Sequence, residues 1–578
     1  MAQGRAAGGR LIGALGVLAA FAALPAAAQP ALSLPDPRDT LREARPAPPR
    51  PGPLAPLPDI RFTSQAPPPG AEDLRFRLDR LDLDGATVHA PGALDPIWAD
   101  RLGTEISVAD LFALAAAVQA RYRADGYLFT RVLVPAQRIE DGTARLQVVE
   151  AVIGRVAIEE PGLPIGPVKA LAERITRPLE GLRNPRADDL ERVLLLLDDI
   201  PGITRAAAVP RLGEGPGEID LFVNMEREAL GWTVFADNRQ SPVIGPGLVG
   251  AVAAINSWSP AGDSTQISGF VSAGLDDSLR DELRERWTLQ IDHRRVLTPW
   301  GLELRGSALH SRTRPGGDVA DFDITGEQSE LGLSLFAPLH RTRALRLDLT
   351  AGFEGIDVDT RTPLPGGPPR LSRDRLRVAT LALDAVRRDG LGAFEGRAQI
   401  RHGLSALGAS GKGDPDLSRS DGDGAFWSLR AELARDLTLP AGFSLHGRIL
   451  GQWADRALLS SEEMTAGGAV IGRGFHPSEI TGDAGYGGTM ELRYSDVTHL
   501  GAWRTPYELY GFADRVRVRN LDGGAPARDS VFSAGLGVRA QLPGRFAVNF
   551  EAAKPINRPL AYTQSSAWRF LFSAAKEF

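Results

Sequence analysis

From residue 231 to the C terminus, apolar and polar residues alternate along the chain, and no helical period interrupts the pattern. The alternation is clearest in residues 287–292, 345–350 and 532–542. A period of two places every second side chain on the same face, which is the mark of a β-strand with one apolar and one polar face. The pattern therefore predicts a long series of strands.

The connections between these strands favour a membrane barrel over a soluble sandwich. Short turns are expected at 298–301, 439–442 and 542–545, and long polar loops at 410–423, 460–488 and 521–530. Outer-membrane barrels join antiparallel strands in this way, with the apolar parity facing lipid and the polar parity facing the lumen. At roughly 20 residues per strand with its share of loop, residues 230–578 contain about 16 strands, an even number as such barrels require.

The last predicted strand ends in an aromatic residue. Trp568, Phe570, Phe572 and Phe578 share one parity, and Arg569 lies on the other. This ending resembles the C-terminal signature of bacterial outer-membrane barrels. Phe578 is therefore expected to act as a signal for the barrel-assembly machinery.

The N terminus is typical of an exported protein. Residues 1–28 contain Arg5 and Arg10, an apolar run over 11–24, and the small-residue site Ala26–Ala28. These features predict a secretory signal peptide, and the apolar run is shorter than the ~18 residues of a membrane-spanning helix. Within 29–45, Asp36 and Pro37 begin a helix candidate over 36–44. Residues 46–70 are proline-dense and are expected to form a semi-rigid linker.

Two small α/β modules are predicted between linker and barrel, over 71–153 and 154–229. The first has strands near 76–83, 127–134 and 144–150, and a helix over 108–124 with a capping box at Ser107 and Asp110. The second has a helix over 185–199 and a strand over 219–223. Neither module contains a catalytic constellation.

Composition narrows the possible chemistry. The chain has no cysteine, and its 8 histidines form no H-x-x-x-H pair, so neither a disulfide nor a metal site is expected. The net charge of -6 is modest and gives no reason to expect nucleic acid. The segment GKG at 411–413 lacks the Ser/Thr that a phosphate loop needs, and no G-x-S-x-G elbow occurs. No enzyme activity, catalytic residue or cofactor is therefore predicted.

The stretch over 467–494 joins a glycine-rich loop to a strand. Arg473 lies between two glycines, and Met490 and Leu492 alternate with Glu491 and Arg493. A loop of this length in a compact fold is usually functional or disordered. Its position among the strands predicts a loop inserted into a membrane barrel.

Several segments, in this order, resemble two-partner secretion transporters, the TpsB proteins of the hemolysin secretion/activation family. Residues 121–135 (RYRADGYLFTRVLVP) and 146–150 (LQVVE) resemble their first POTRA domain, and 194–202 (LLLLDDIPG) the second. Residues 237–241 (DNRQS) and 256–263 (NSWSPAGD) resemble the first barrel hairpin. Residues 471–475 (IGRGF) match the arginine-glycine-aromatic motif at the tip of the family's long sixth loop. The similarity covers nearly the whole mature chain.

The resemblance implies a transporter in the bacterial outer membrane, surrounded by lipid, that exports one large partner exoprotein without ATP. Its POTRA domains lie in the periplasm and capture the partner's secretion domain by strand addition to a sheet edge. The helix over 36–44 plugs the barrel at rest, and the loop over 460–488 folds inward.

The resemblance also implies a tether for this loop. Arg473, Gly474 and Phe475 form the loop tip, and the matching carboxylates on the barrel wall are Glu491 and Asp514. Arginine suits this role because its planar fork makes bidentate, charge-assisted hydrogen bonds to a carboxylate.

Two departures favour Glu491 over Asp514 as the partner of the loop. The family usually has glycine after this aspartate, where the chain has Arg515. Tyr510 and Phe512 also share a face with Asp514, so its parity is mixed.

The main alternative is a POTRA-barrel assembly factor of the same superfamily, which inserts outer-membrane proteins or autotransporters. Such factors carry three or more POTRA domains, whereas residues 71–229 contain two. A passive porin would not explain the periplasmic modules. The sequence leaves open the identity of the partner (adhesin, hemolysin or toxin), its activation and the oligomeric state.

Overall fold

The computed structural model describes residues 64–273, 286–316, 320, 322–363, 370–501, 503–521 and 528–578. The predicted signal peptide, the helix over 36–44 and most of the proline-rich linker lie outside these residues. None of the helices in the described ranges is long and apolar enough to cross a membrane. The described chain forms two α/β modules followed by a barrel.

The first module contains the predicted helix. Helix α1 spans Val108–Ala124, and its capping box is present: the Asp110 N–H donates to the Ser107 Oγ at 3.1 Å, and the Ser107 N–H donates to the Asp110 carboxylate at 2.9 Å. The strands are β1 Arg75–Leu78, β2 Arg80–Asp84, β3 Thr104–Ser107, β4 Arg131–Leu133 and β5 Thr143–Val149. They form the sheet β1-β3 and a second sheet in the order β2-β5-β4.

Two predicted strands of this module were wrong in extent. The strand over 76–83 is two strands in different sheets, because the Asp79 N–H donates to the Gly142 carbonyl at 2.8 Å and turns the chain between them. The strand over 127–134 is shorter, because Tyr127 packs against the core of the module without joining the sheet. Around Tyr127, an apolar residue therefore contributes to the core outside the strand pairing.

The second module has the same strand arrangement as the main sheet of the first. Its elements are β6 Val152–Glu159, helix α2 Lys169–Thr176, helix α3 Ala187–Asp198, β7 Ile203–Leu212 and β8 Glu218–Arg227. In both sheets the central strand is parallel to one neighbour and antiparallel to the other. Helix α2 was not predicted, because 8 residues are too few to show a helical period.

Sixteen antiparallel strands form a closed barrel, which confirms the predicted fold class. They are β9 Leu230–Asp237, β10 Gly247–Asn256, β11 Ser264–Ala273, β12 Arg286–Val296, β13 Glu303–Thr313, β14 Thr325–Arg341, β15 Leu345–Arg361, β16 Arg370–Asp389, β17 Gly392–Gly403, β18 Trp427–Thr438, β19 Phe443–Ala454, β22 Ala484–Leu500, β23 Trp503–Arg519, β24 Arg528–Leu542, β25 Phe546–Pro555 and β26 Arg569–Glu577. The strands β20 Met464–Ala466 and β21 Ile480–Gly482 form a separate pair within one loop.

Side-chain exposure shows which parity faces outward. On β12, Leu289 and Ile291 are exposed, whereas Arg286 and Thr288 of the opposite parity are buried. Apolar residues therefore face the outside of the barrel, and polar residues face its interior, as expected for a barrel in lipid.

The barrel closes where its last strand meets its first. β26 pairs with β9 from Ser573 to Glu577, and the ring of Phe578 stacks on Trp232 with centroids 3.7 Å apart. The Asn238 side chain extends this seam, since it accepts from the Phe572 N–H at 2.7 Å. Phe578 thus lies at the closure; its role as an assembly signal stays a prediction.

The second module contacts the short turns at one end of the barrel. Val296 packs into the hydrophobic core of the module. Arg341 donates to Asp199 at 2.7 Å, and Arg343 donates to Glu191 at 3.1 Å. These contacts fix the module beneath one side of the barrel, so the long loops lie at the opposite end.

Candidate functional site

The candidate site is the loop between β19 and β22, which folds into the lumen. This loop was predicted over 460–488, but β22 begins at Ala484, so its predicted end was wrong. Gly485, Gly487 and Gly488 pair with β19 and β23 as part of the barrel wall. Their glycine content is typical of a loop, yet the backbone is extended and fully paired.

The wall glycines leave space for the loop. A Cβ at Gly487 would lie 2.7 Å from the Arg515 carbonyl oxygen and 3.1 Å from the Cδ1 of Ile471, a loop residue. A Cβ at Gly485 would lie 2.9 Å from the Sδ of Met464, also in the loop. Glycine in a strand often marks the close approach of another segment, and here that segment is the inward loop.

Arg473 at the loop tip forms a fork with Asp514 on β23. The Arg473 Nε and Nη2 donate to the two carboxylate oxygens at 2.9 and 2.7 Å. The backbone N–H groups of Arg473 and Gly472 donate to the same carboxylate at 3.0 and 3.2 Å. Asp514 is fully buried, and Arg473 is 5% exposed. One wall carboxylate therefore satisfies both the side chain and the backbone of the tip.

Glu491 and Thr489 on β22 complete the fork. The Arg473 Nη1 donates to Glu491 at 2.5 Å, and its Nη2 donates to the Thr489 hydroxyl at 2.9 Å. Thr489 in turn donates to Asp514 at 2.6 Å. We name Arg473, Glu491, Asp514 and Thr489 the tether cluster. Asp514 makes more contacts with the loop tip than Glu491 does, the opposite of the ranking that the sequence favoured.

Glu491 has further cationic partners. Arg493 donates to it at 2.6 Å and Arg539 at 3.4 Å. Arg493 also donates to Asp436 at 2.9 Å. The tether cluster is thus one end of a longer row of alternating charges on the lumen wall, which continues through Arg493 to Asp436.

The aromatic residues Tyr510 and Phe512 share the lumen face of β23 with Asp514 for a physical reason. The guanidinium of Arg473 lies 3.5 Å from the ring centroid of Phe512, and that of Arg539 lies 3.8 Å from the ring of Tyr510. Guanidinium groups are attracted to aromatic faces. The two rings therefore face the lumen together with Asp514 and support the arginines.

The two residues after Arg473 secure the tip by packing. Phe475 is fully buried in an apolar cluster with Ile471, Val516 and Val531. Gly474 lies against the backbone of β25. The structure therefore brings Arg473, Gly474 and Phe475 together with both predicted carboxylates, at one place in the lumen.

The charges around the loop tip keep the Arg473 side chain protonated. Burial lowers the pKa of the Arg473 guanidinium, but the hydrogen bonds and charge of Asp514, and the charge of Glu491, outweigh this and raise it. Burial, together with the positive charge of Arg569, lowers the pKa of His476 to about 3. The neighbouring histidine is therefore neutral.

Sequence reasoning missed Thr489, Phe512 and Arg539 as members of the site. All three lie on the lumen parity of neighbouring strands, beside Glu491 or Asp514. That shared parity was the signal that could have identified them. Among the described residues, no group of three or more His, Asp or Glu side chains is arranged to bind a metal ion.

Two family descriptions match the chain. Residues 76–151 match the POTRA domain, ShlB-type, and residues 265–540 match the haemolysin secretion/activation protein ShlB/FhaC/HecB. The first match covers the first periplasmic module. The second covers the barrel from β11 to β24, including the whole tether cluster.

Curated relatives match at low identity over long stretches. The heme/hemopexin transporter protein HuxB of Haemophilus influenzae (strain 86-028NP) is 22% identical over 518 residues, with 88% of each chain covered. The outer membrane transporter CdiB of Dickeya dadantii (strain 3937) is 24% identical over 396 residues, or 66% of this chain and 64% of that protein.

Solved structures show the same fold. CdiB from Escherichia coli has a TM-score of 0.67 at 18% identity and covers 94% of this chain and 95% of that one. BamA from Haemophilus ducreyi, lacking POTRA domains 1-3, has a TM-score of 0.51 at 12% identity.

The family matches favour the transporter over the assembly factor. The chain belongs to the ShlB/FhaC/HecB family and is an outer-membrane transporter of two-partner secretion, with its POTRA domain in the periplasm.

Proposed function

We propose that this transporter exports one large partner exoprotein, an adhesin, hemolysin or toxin, through its own barrel without ATP. The inward loop is the observation that carries the proposal. The buried Arg473 joins the loop tip to the wall, so the lumen is occupied at rest by a segment distinct from the wall. A channel closed in this way suits a transporter that opens for one partner.

The charges of the tether cluster suggest how the loop is favoured in its inward position. Among the described residues, Asp514 forms an ion pair with Arg473 alone, whereas Glu491 also pairs with Arg493 and Arg539. If the loop withdraws, Glu491 keeps two arginine partners, whereas Asp514 loses the one cation with which it pairs. Of these two wall carboxylates, Asp514 therefore favours the inward loop more strongly.

We assign capture of the partner to the periplasmic modules. We also infer that the second module is a POTRA domain, because its sheet repeats the strand arrangement of the first. β7 is an edge strand of 10 residues. Val209 and Leu212 on this strand are exposed. An extended peptide can add to such an edge through backbone hydrogen bonds, with its side chains packing on the neighbouring apolar residues.

Val209→Asp is expected to reduce export several-fold without impairing barrel assembly, because it places a charge where an added strand would pack. The partner is sought among large exoproteins encoded by neighbouring genes, and export is measured as its amount in the culture supernatant. Leu163→Asp is the matched control, since Leu163 is 84% exposed in the same module but lies outside its sheet. Equal export by both variants would contradict capture at β7.

A protease site inserted at Gly413, in the loop between β17 and β18, is expected to be cut on intact cells. A site at Gly162, in the second module, should be protected until the outer membrane is breached. Neither glycine has an atom within 4 Å of a Cβ built on it, so both positions tolerate an insertion. Cleavage is followed by immunoblotting of cells before and after osmotic shock. The reverse pattern would invert the assigned orientation.

A further inference from the structure

The outer face of one barrel strand carries a run of positive charge. Arg515, Arg517 and Arg519 on β23 are exposed and alternate with Val516 and Val518, which are buried against the loop inside the lumen. Because successive side chains of a strand point to opposite faces, the three guanidinium groups lie on the outside, about 7 Å apart along the strand. They are at the end of the barrel opposite the periplasmic modules.

Their height along the barrel is that of a membrane interface. Leu509, which is 48% exposed, and Ala513 precede the arginines on the same face of β23. Tyr486 lies directly opposite Arg517 and is 64% exposed. The lipid-facing surface of such barrels is an apolar band bordered by aromatic residues. The arginines therefore lie at the level of the lipid headgroups of the outer leaflet.

The neighbouring strands supply no acidic side chain at this place. Arg519 is directly opposite Arg528 on β24, and like charges in that position destabilise a sheet. The other cross-strand neighbours are Gly488 and Phe532 for Arg515, Tyr486 and Ser530 for Arg517, and Ala484 for Arg519. We name Arg515, Arg517, Arg519 and Arg528 the arginine patch. Within the described ranges, no ion pair or side-chain hydrogen bond involves any of them.

Another strand of the same barrel shows how outward arginines are neutralised elsewhere. Arg373 and Arg375 on β16 are directly opposite Asp359 and Asp357 on β15. Arg377, on the same face, donates to Asp357 at 2.7 Å. The chain thus provides acidic neighbours for one outward arginine row and none for the arginine patch. The described residues therefore leave the charge of the patch without an acidic partner.

We propose that the arginine patch binds the phosphorylated headgroup of a lipid in the outer leaflet. The guanidinium fork matches a phosphate group with two parallel hydrogen bonds. The exposed side chains of Leu509 and Leu536 lie on the same outer surface nearer the middle of the membrane, where they offer contact for the acyl chains. Arg515, which departs from the family pattern, follows Asp514 directly. The lipid would therefore bind the outer face of the wall strand that anchors the loop on its inner face.

The test compares lipid binding by the full-length transporter and two triple variants, using native mass spectrometry of delipidated protein in detergent. The probe is diphosphoryl lipid A. Arg515→Gln/Arg517→Gln/Arg519→Gln is expected to bind it about a hundredfold more weakly, at roughly fivefold per arginine. The control Arg373→Gln/Arg375→Gln/Arg377→Gln should bind as the unaltered protein does. Resistance to unfolding in SDS verifies that each variant is folded.

If the patch variant does not fold, Arg517→Gln alone is expected to weaken binding about fivefold. Unchanged affinity in a folded patch variant would overturn the proposal. Equal binding of a dephosphorylated glycolipid would assign the surface to acyl chains alone and overturn it as well. Displacement of the lipid by an equal concentration of inorganic phosphate would indicate a site for a free ion instead of a lipid.

Discussion

Replacing Arg473 with alanine is expected to abolish export or reduce it sharply, while the barrel still assembles. The substitution removes both bonds to the Asp514 carboxylate and the bond to Glu491, and it leaves Asp514 buried without a cation. Removing one partner of a buried ion pair costs about 3–5 kcal/mol. Export is measured as partner protein in the culture supernatant at matched transporter levels, and assembly as resistance to unfolding in SDS.

Further variants separate geometry from charge at this position. Arg473→Lys should rescue poorly, because a point charge cannot reproduce the bidentate fork. Asp514→Asn should approach the defect of Arg473→Ala, and Glu491→Gln should show a smaller one, since Arg493 still pairs with neighbours such as Asp436.

Combining Asp514→Asn with Arg473→Ala should add little, as expected for partners in one interaction. The matched control is Arg312→Ala, which removes an exposed arginine whose contact with Glu327 is a loose 3.9 Å pair. Such surface pairs contribute little. Full secretion by Arg473→Ala would leave the inward loop without the role assigned to its tip.

The barrel could be predicted from the sequence because its strands depend on a local signal. Alternation over a few residues shows which side chains face lipid, and the short turns at 298–301, 439–442 and 542–545 separate neighbouring strands. The alternation and the turns can both be recognised in a single sequence, because neither depends on contacts between distant residues. The closed barrel of sixteen strands agrees with the expected number.

The extent of the long loop could not be predicted in this way. The segment from Gly485 to Gly488 is rich in glycine, which is typical of loops, but it pairs with strands on both sides. Its glycines are required by a segment that lies across the lumen, and that contact is not visible in a local pattern. The same limit applies to helix α2, which packs in the second module although it is too short to show a period.

The residues of the site were only partly accessible from the sequence. Arg473, Glu491 and Asp514 were identified from the family resemblance, and the structure places all three in contact. The sequence favours Glu491 because Arg515 departs from the family pattern and because Phe512 shares a face with Asp514, whereas in the structure Asp514 makes more contacts with the loop tip. The ring in fact lies under the guanidinium in the lumen, an arrangement that alternation alone cannot distinguish from a lipid-facing aromatic residue.

Gly474→Ala is expected to reduce export nearly as much as Arg473→Ala, although it removes no charge. A Cβ at this position would lie 2.7 Å from the carbonyl carbon of Lys554 and 2.8 Å from the nitrogen of Pro555, both backbone atoms of β25. Those atoms belong to a paired strand and cannot move easily, so the loop tip must shift instead. Arg473 precedes Gly474 directly, and its bonds to Asp514 at 2.7 and 2.9 Å would lengthen or break.

The control for this substitution is Gly447→Ala on β19, where a Cβ would meet no atom within 4 Å and export should be unchanged. Release of the loop is measured directly as faster cleavage within 455–483 by a protease added to intact cells. Lys554→Ala should not restore export in the Gly474→Ala background, because the conflict involves backbone atoms that this change leaves in place. Restoration by Lys554→Ala, or full export by Gly474→Ala, would show that close packing of the tip against β25 does not hold the loop inward.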